Sequence, residues 1–163
     1  RHPADQWEHE AAPLDLVIIE GWCLGTPAQS EAALQKPIND LEAREDRDEI
    51  WRHYVNRQIS EHYEPVYESI DIWIMLQAPS FDCVYRWRLE QEQKLADELS
   101  RTEGQEAGNG VMSPQQVARF IQYYHRLTEH TLEQLPGRVN YLFQLDNERR
   151  IIASTEPRKV LLS

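Results

Sequence analysis

The segment Asp15-Leu-Val-Ile-Ile-Glu-Gly21 decides the fold class of this 163-residue chain. A short apolar run closed by an acid and a glycine is typical of a strand that is buried on both faces and opens into a loop at its carboxyl end. Similar apolar runs occupy residues 70–76 and 139–145, and residues 151–152 form a short one. Strands separated by helical crossovers predict an α/β fold with a parallel sheet and right-handed connections.

Helices are predicted in three segments where apolar residues recur at helical intervals. They cover residues 47–63, residues 81–99, and a stretch that begins after Ser113 and ends before Pro136. Pro65 is expected to break the first helix, because proline lacks the backbone N–H group that a helix interior needs. Ser113-Pro-Gln-Gln116 has the pattern of a capping box. Residues 104–110, which contain glycines, are predicted to be mobile.

The composition excludes several classes of function. Seventeen basic and 28 acidic residues give a formal net charge of −11, which repels the phosphate backbone of nucleic acids and anionic lipids. No apolar run approaches the roughly 18 to 20 residues of a membrane span. No signal peptide opens the chain, so a cytoplasmic protein is the expectation. Apolar residues make up 40% of the chain, which is enough to give one domain a core.

The residue types that bind metals show no ligand spacing. Cys23 and Cys83 have no CxxC or histidine partner in the sequence, so both are expected to be reduced thiols in or near the core. The six histidines lack paired spacing as well. The motif GxxxxGK[ST], whose backbone cradles nucleotide phosphates, does not occur in these residues. Its absence is the main obstacle to interpreting the chain as a kinase.

Glu20 is the first candidate for chemistry, because the predicted strand places its carboxylate at the carboxyl edge of a parallel sheet. Ligands of open α/β folds bind at that edge. In phosphoryl transfer such an acid holds magnesium, directly or through water, or accepts the proton of the attacking hydroxyl group. The alternative is a helix-capping acid or a solvated loop acid, and the spacing alone leaves both open.

Arg86 and Arg88, in Tyr85-Arg-Trp-Arg-Leu89, are the second candidate. Residues two apart on a helix point in different directions, so one arginine can face a site while the other pairs on the surface. The planar guanidinium group donates two parallel hydrogen bonds to phosphate oxygens. The alternative is a salt bridge with Glu90 or Glu92. Trp22 is interpreted as a packing residue that, because it follows the edge acid, can also form the wall of a pocket.

Several segments together resemble a known family, the P-loop kinases related to D-glycerate 3-kinase. Two of them are distinctive, the strand end in Asp15-Leu-Val-Ile-Ile-Glu-Gly-Trp-Cys-Leu-Gly25 and the helix Val84-Tyr-Arg-Trp-Arg-Leu-Glu-Gln-Glu92. The remaining segments support them in family order: Pro37-Ile-Asn-Asp-Leu-Glu42, Trp51-Arg-His-Tyr-Val-Asn56, and Met112-Ser113 with Val117, Phe120 and Tyr124.

The resemblance implies a parallel-sheet P-loop kinase fold that transfers the γ-phosphoryl group of ATP to a hydroxyl group of a small acid, most plausibly D-glycerate. It implies ATP and Mg²⁺ as cofactors, Glu20 as the acid near magnesium, and Arg86 and Arg88 on a lid-like helix, residues 81–99. A small hydroxy acid and ATP are the expected partners, without nucleic acid or membrane.

The resemblance also implies that residues 1–163 are the C-terminal portion of a single kinase-like domain, inactive alone. The family's Walker A loop and the central strand before it precede the matched segments. Removal of a central strand exposes unpaired backbone groups, so the missing part is expected elsewhere in the gene product. Homodimer formation is the alternative way to close the sheet.

Substrate contacts are expected from Trp22 and from the loop that carries Asn39, Asp40 and Glu42, which can reach the mouth of the site. A solvated loop is the alternative for the last three residues. Two competing functions stay open: a non-catalytic binding or regulatory module that lacks the nucleotide loop, and a kinase whose acceptor is a nucleoside, pantothenate or a sugar, because fold alone does not set the substrate.

Overall fold

A computed structural model of the chain describes residues 13–102 and 110–155. Within these residues, six α-helices, one π-helix and three strands follow one another. The helices are α1 (Glu31–Leu34), α2 (Asp40–Glu45), α3 (Ile50–Gln58), the π-helix (Ile59–Tyr63), α4 (Glu64–Tyr67), α5 (Phe81–Thr102) and α6 (Pro114–Gln134), and the strands are β1 (Ile74–Gln77), β2 (Tyr141–Leu145) and β3 (Ile151–Thr155). The fold class is therefore mixed α/β, as the alternation of strands and helices predicts.

The sheet has the order β1-β2-β3. β1 and β2 are parallel, with Ile74 opposite Tyr141, and are connected through α5 and α6 as predicted for a crossover. The start of the pair is fixed by Asn140, whose Oδ1 atom accepts the backbone N–H of Trp73 at 2.7 Å. The predicted parallel pairing holds for β1 and β2, whereas β3 is antiparallel to β2. The reason is the connection: residues 146–150 form a tight turn, which is long enough only for a hairpin.

The core lies on one face of this sheet. Met75 from β1 and Leu142 from β2 are buried against Val139 and against Leu135, which follows the last turn of α6. On the opposite face, Ile74 and Leu76 from β1 and Ile152 from β3 are exposed. Among the described residues, the sheet thus buries one apolar face and leaves the other uncovered.

The prediction of a buried strand over residues 15–19 is wrong for the described part of the chain. These residues belong to no strand, and Leu16, Val17, Ile18 and Ile19 are exposed, with Ile18 82% accessible. A strand that is buried on both faces needs a neighbouring strand and covering helices, and no described segment takes either position. After this stretch, residues 22–26 return to the body of the fold, where the hydroxyl groups of Thr26 and Thr131 in α6 share a hydrogen bond.

Pro65 does not break the helical path, contrary to its expected effect. The path runs from α3 through the π-helix into α4, and Pro65 occupies the first turn of α4. The backbone N–H of Glu64 bonds to the carbonyl of Ile59, five residues back, so the turn before the proline is widened. A wide turn accommodates the proline ring, which clashes with the carbonyl four residues earlier in a regular helix.

The helices that flank the predicted gap agree with the sequence pattern. The capping box of α6 is present: the Ser113 hydroxyl accepts the N–H of Gln116, and the Gln116 side chain accepts the N–H of Ser113. α5 begins at the predicted residue and extends to Thr102. The predicted mobile gap, residues 104–110, lies outside the described residues except for Gly110. Cys23 and Cys83 are free thiols, as predicted.

Within residues 13–102 and 110–155, no helix combines the length and the apolar character that crossing a membrane requires.

Gly25 is a position where only glycine fits. Its φ angle is +84°, and an added Cβ atom would lie 2.7 Å from Cζ3 of Trp73 and 3.3 Å from Cδ1 of Leu135. We predict that Gly25→Ala lowers the free energy of unfolding by about 2 kcal/mol, because backbone strain and a clash with a core ring combine. Urea unfolding followed by circular dichroism measures the change.

Gly137→Ala is the matched control, because no atom lies within 4 Å of the Cβ position at Gly137. We expect a change within about 0.5 kcal/mol for this variant. Equal stability losses in the two variants would show that the contact between residue 25 and Trp73 does not constrain the fold.

Candidate functional site

A cavity of about 640 Å³ lies between α5, α6 and the turn that connects β2 to β3. Six apolar or aromatic side chains form most of its wall: Trp22, Val84, Trp87, Phe120, Ile121 and Tyr124. The polar part of the wall consists of Arg88, Glu90, Gln91, Lys94 and Arg149. Large apolar clefts with a few polar groups are typical of small-molecule sites.

The cavity lies at the carboxyl edge of the sheet. α5 begins four residues after β1, and the turn that carries Arg149 begins directly after β2. Both strands are parallel, so their carboxyl ends open on the same side. Trp22, the third contributor, follows the apolar stretch at residues 15–19. In open α/β folds this edge is where ligands bind, which makes the cavity the candidate active site.

The two tryptophans of the wall are held by hydrogen bonds from their indole groups. Trp22 Nε1 donates to Oγ1 of Thr128 in α6 at 3.1 Å, and Trp87 Nε1 donates to the backbone carbonyl of Asn147 at 2.7 Å. Satisfied N–H groups leave the ring faces free to pack. Trp22 thus forms the pocket wall that its position after the edge acid allows.

Arg88 faces this cavity and is also paired. Its Nη1 atom donates to Gln91 Oε1 at 2.6 Å, its Nη2 atom donates to Glu92, and its guanidinium carbon lies 5.6 Å from the centre of the Phe120 ring. Among the described residues its Nε atom is buried without a hydrogen-bond partner. The Nη1 and Nη2 atoms each carry a second N–H group besides the one bound to Gln91 or Glu92, and through these groups Arg88 can bind an acceptor inside the cavity.

Glu92 connects Arg88 to the start of α6. Its side chain is almost fully buried, and while one carboxylate oxygen accepts from Arg88, the other accepts the backbone N–H of Met112 at 2.8 Å. The salt bridge considered as the alternative for Arg88 therefore exists, and it orients the guanidinium group that lines the cavity. A charge-assisted pair of this kind fixes a long side chain in one geometry.

Arg86 points elsewhere, as expected for a residue two positions from Arg88. Its Nη2 atom donates to Asn147 Oδ1 at 3.0 Å and contacts the Cys83 sulfur at 3.1 Å. Arg86 is not among the residues that line the cavity. These contacts connect α5 to the turn after β2, while the catalytic role of Arg86 stays a prediction.

Glu20 is exposed and, within the described residues, has no bonded partner. It lies two residues before Trp22 and therefore close in sequence to the cavity wall. No cluster of three or more His, Cys, Asp or Glu side chains that could hold a metal ion occurs in residues 13–102 and 110–155. The magnesium role of Glu20 stays a prediction.

Asn39, Asp40 and Glu42 lie away from the cavity wall. Asn39 is the N-cap of α2: its Oδ1 atom accepts the N–H of Glu42 at 2.9 Å, and its amide group donates to the Gln122 carbonyl at 3.0 Å. Asp40 forms an exposed pair with Arg44. Asp40 and Glu42 therefore lie in α2 and not in the predicted loop, and the bond from Asn39 to Gln122 fixes the start of this helix to α6. The substrate contacts predicted for the three residues stay predictions.

Glu42 forms a buried pair with Arg126. Its two carboxylate oxygens accept from Arg126 Nε at 2.8 Å and Nη2 at 2.6 Å. Arg126 also donates to the backbone carbonyls of Ala33 and Lys36. Burial acts to raise the pKa of Glu42, but the hydrogen bonds from Arg126 and from the Ile38 N–H outweigh it, so the pKa lies below its ordinary value of 4.5.

Comparison with known proteins shows which proteins this chain resembles in sequence. No family model matches the chain. The uncharacterized kinase mug58 of Schizosaccharomyces pombe is 29% identical over 138 residues, and the chloroplastic D-glycerate 3-kinase of Arabidopsis thaliana is 28% identical over 124 residues. These matches cover 81% and 76% of this chain. The chain is related to the D-glycerate 3-kinases.

The fold agrees with this relationship to the D-glycerate 3-kinases. A solved D-glycerate 3-kinase from Cryptococcus neoformans superimposes with a TM-score of 0.65 and 22% identity over 89% of this chain. The chain spans 51% of that structure, and 40% and 23% of the two relatives matched by sequence. The resemblance inferred from the sequence motifs is thereby confirmed, over part of the relatives' length.

Several residues that line the cavity of this chain were not singled out from the sequence as site residues. Phe120 and Tyr124 lie one turn apart on α6, and Trp87, Gln91 and Lys94 follow the same rule on α5. That spacing was a signal for a shared face, although it does not reveal whether the face is core or cavity. Arg149 lies in a turn, where no periodic pattern indicates direction.

A buried ion pair whose acid has a lowered pKa contributes stability above the ordinary pKa of that acid. We predict that Glu42→Gln lowers the free energy of unfolding at pH 7 by about 3 kcal/mol, because Arg126 loses its charged partner. The difference between the parent protein and the variant should shrink as the pH falls below 4.5 and through the lowered pKa of the folded state. Urea titrations at several pH values measure it.

Asp40→Asn provides the control from the same helix, because the Asp40–Arg44 pair is exposed. Its loss should cost at most about 0.5 kcal/mol. If the stability difference for Glu42→Gln were independent of pH, the Glu42–Arg126 pair would not be the source of the effect.

Proposed function

We propose that the chain is the C-terminal portion of an ATP-dependent kinase that phosphorylates a hydroxyl group of a small acid, with D-glycerate as the first candidate. The observation that carries the proposal is the relationship to proteins named D-glycerate 3-kinase, combined with a cavity at the carboxyl edge of the sheet that presents arginine and lysine side chains. Phosphoryl transfer requires mainly positioning and neutralisation of charge, which suits such a wall.

Arg88 is the residue we assign to the phosphate groups. Its guanidinium group is held on the Phe120 ring and by Glu92, so it need not lose much conformational freedom on binding. Gln91 and Glu92 each accept one N–H group from its Nη atoms, and the second N–H group of each Nη atom can donate to a phosphate oxygen. Arg86 would support the site from the Asn147 side.

Glu20 is the residue we assign to magnesium, directly or through water. Magnesium in kinases is held by one or two carboxylates together with substrate phosphates, so a single acid without another partner fits this use. When bound, the metal neutralises negative charge on the phosphate oxygens. Glu20 would hold it at the edge from which Trp22 enters the cavity wall.

The nucleotide-binding loop and its strand belong, in this proposal, to a part of the gene product outside residues 1–163. Support comes from residues 16–19, which are apolar and exposed, and from β1, whose outer edge pairs with no described strand. A strand from that part would bury both, and would complete a parallel-sheet P-loop kinase fold. The chain alone would then be inactive. Cytoplasmic location is retained as part of the proposal.

A non-catalytic binding module is the second candidate, because GxxxxGK[ST] is absent from the printed sequence. The two functions predict different coding sequences upstream of Arg1. An apolar strand followed by GxxxxGK[ST] upstream supports the kinase, whereas a gene product without that motif supports the binding module.

The complete gene product should consume ATP faster with D-glycerate than with any other acceptor tested. A coupled assay of ADP formation, run with D-glycerate, other small hydroxy acids, sugars, pantothenate and nucleosides, measures the preference. Faster turnover of a sugar or a nucleoside than of D-glycerate would retain the kinase and reject the acceptor. No turnover with any acceptor would favour the binding module.

Glu20→Gln should lower kcat of the complete gene product by about 100-fold, because the metal and the developing charge lose a carboxylate. The melting temperature should stay unchanged, since Glu20 is exposed and unpaired in the described structure. Glu61→Gln, a change of another exposed acid away from the cavity, is the control for charge loss. Equal kcat values for the parent protein and Glu20→Gln would remove Glu20 from the mechanism.

A further inference from the structure

The charged residues that line the cavity are mainly basic, whereas the chain as a whole is acidic. The whole sequence carries a formal charge of −11, yet three of the four charged residues that line the cavity are basic: Arg88, Lys94 and Arg149. Glu90 is the single acid of the lining. A cluster of basic groups in a cleft with apolar walls concentrates anions there.

Arg149 is held in place by its turn and by an aromatic ring. Its φ angle is +65°, a left-handed conformation that costs a non-glycine residue about 1 kcal/mol. Asp146 maintains this turn: its carbonyl accepts the Arg149 N–H at 3.1 Å, and its Oδ1 atom accepts the N–H groups of Glu148 and Arg150 at 2.8 and 2.9 Å. The guanidinium carbon lies 5.4 Å from the centre of the Trp87 ring.

Arg149 and Arg88 thus have the same arrangement on two sides of the lining. Each guanidinium group lies against an aromatic ring of the cavity wall, Trp87 for Arg149 and Phe120 for Arg88. Each guanidinium group has one face over a ring, and the N–H groups that do not bind Gln91, Glu92 or Glu90 can donate to an anion. Arg86 lacks this arrangement, because its N–H groups bind Asn147 and Cys83 outside the cavity.

Glu90 is shared by two cations. Its Oε1 atom lies 2.5 Å from Lys94 Nζ, and its Oε2 atom lies 2.5 Å from Arg149 Nη2. Bonds from Lys94 and Arg149 lower the pKa of Glu90, so the acid stays ionised near neutral pH. One carboxylate between two cations leaves a positive charge that an incoming anion can neutralise.

We propose that Arg149 and Arg88 form a polyphosphate-binding pair in the cavity, and that the Glu90 carboxylate competes with the incoming anion for Arg149 and Lys94. That this polyphosphate is the triphosphate group of ATP rests on the proposed function. A polyphosphate carries several charges along its length and matches two separate arginines with a lysine nearby, whereas the single carboxylate of a hydroxy acid needs only one guanidinium fork.

Intrinsic tryptophan fluorescence provides a direct test, because Trp22 and Trp87 form part of the cavity wall. The complete gene product is titrated with inorganic tripolyphosphate at fixed ionic strength and without nucleotide. Arg149→Gln should raise Kd about tenfold or more, since a hydrogen-bonded charge is lost. Glu90→Gln should lower Kd about threefold, since a repelling carboxylate is removed. Arg119→Gln is the matched control, because Arg119 also lies over an aromatic ring, Tyr123, and pairs with an acid, Glu45, but does not line the cavity; it should change Kd by less than about twofold.

Two results would overturn the proposal. One is a Kd for Arg149→Gln that lies within about twofold of the parent protein, or that rises no more than the Kd for Arg119→Gln. The other is a Kd for Glu90→Gln that stays the same or rises. The second variant keeps the proposal testable if Arg149→Gln fails to fold, as judged by circular dichroism.

A D-glycerate titration of the same variants separates the two anions. Dependence of glycerate binding on Arg149, without dependence of tripolyphosphate binding, would overturn the assignment to phosphate. The kinase proposal is tested independently by turnover. Tripolyphosphate binding that requires Arg149, in a protein without phosphoryl transfer to any acceptor, would reject the kinase and retain the anion site.

Discussion

The structure depends on one constraint, which is that backbone N–H and C=O groups of an apolar strand need partners. Residues 16–19 are four consecutive apolar residues, all exposed, and they make no backbone hydrogen bond to a described residue. The outer edge of β1 is unpaired in the same way, and Ile74 and Leu76 are exposed beside it. Apolar surface and unpaired edges of this extent rarely persist in a soluble protein. The matched relatives are about twice as long or longer, and the function proposed above accounts for the open edge by a strand from outside residues 1–163.

Helix α6 is the element that holds the described part together despite this open edge. Arg126 binds Glu42 and the carbonyls of Ala33 and Lys36, so α1, α2 and the segment between them are fixed to one side of the helix. Thr128 and Thr131 fix residues 22–26, including the pocket residue Trp22. The side of α6 that carries Thr128 and Thr131 also supplies Phe120 and Tyr124 to the cavity, since these residues are spaced by three or four positions. Polar contacts outside the cavity therefore hold its wall residues in position.

The elements that local chemistry determines were predictable from the sequence. The capping box at Ser113, the start of α5 and the crossover from β1 to β2 follow from hydrogen-bonding patterns and apolar periodicity. The exposure of residues 16–19 was not predictable. Their apolar pattern indicates that the segment suits a buried strand, but it does not show whether the neighbouring strand is part of the same sequence. Pro65 was misjudged because the widened turn before it relieves a clash that a regular helix would suffer.

The site was predictable to a smaller extent. Trp22 and Arg88 were identified from their motifs and line the cavity, while Arg86, in the same motif, bonds away from it. The position of Arg149 depends on a left-handed turn and on a tryptophan 62 residues earlier in the chain, and neither is visible in a local pattern. Contacts between distant residues, which decide whether a charged side chain lines a cavity or forms a surface pair, come from the tertiary structure.

Hydrogen exchange of the complete gene product tests the central claim most directly. If a strand from outside the described residues pairs with residues 16–19, the amides of Val17, Ile18 and Ile19 should exchange as slowly as those of β2, which is the central strand of the described sheet. Exchange at the rate of an unprotected peptide at these three amides would contradict the claim, because the segment would then have no partner in the natural protein.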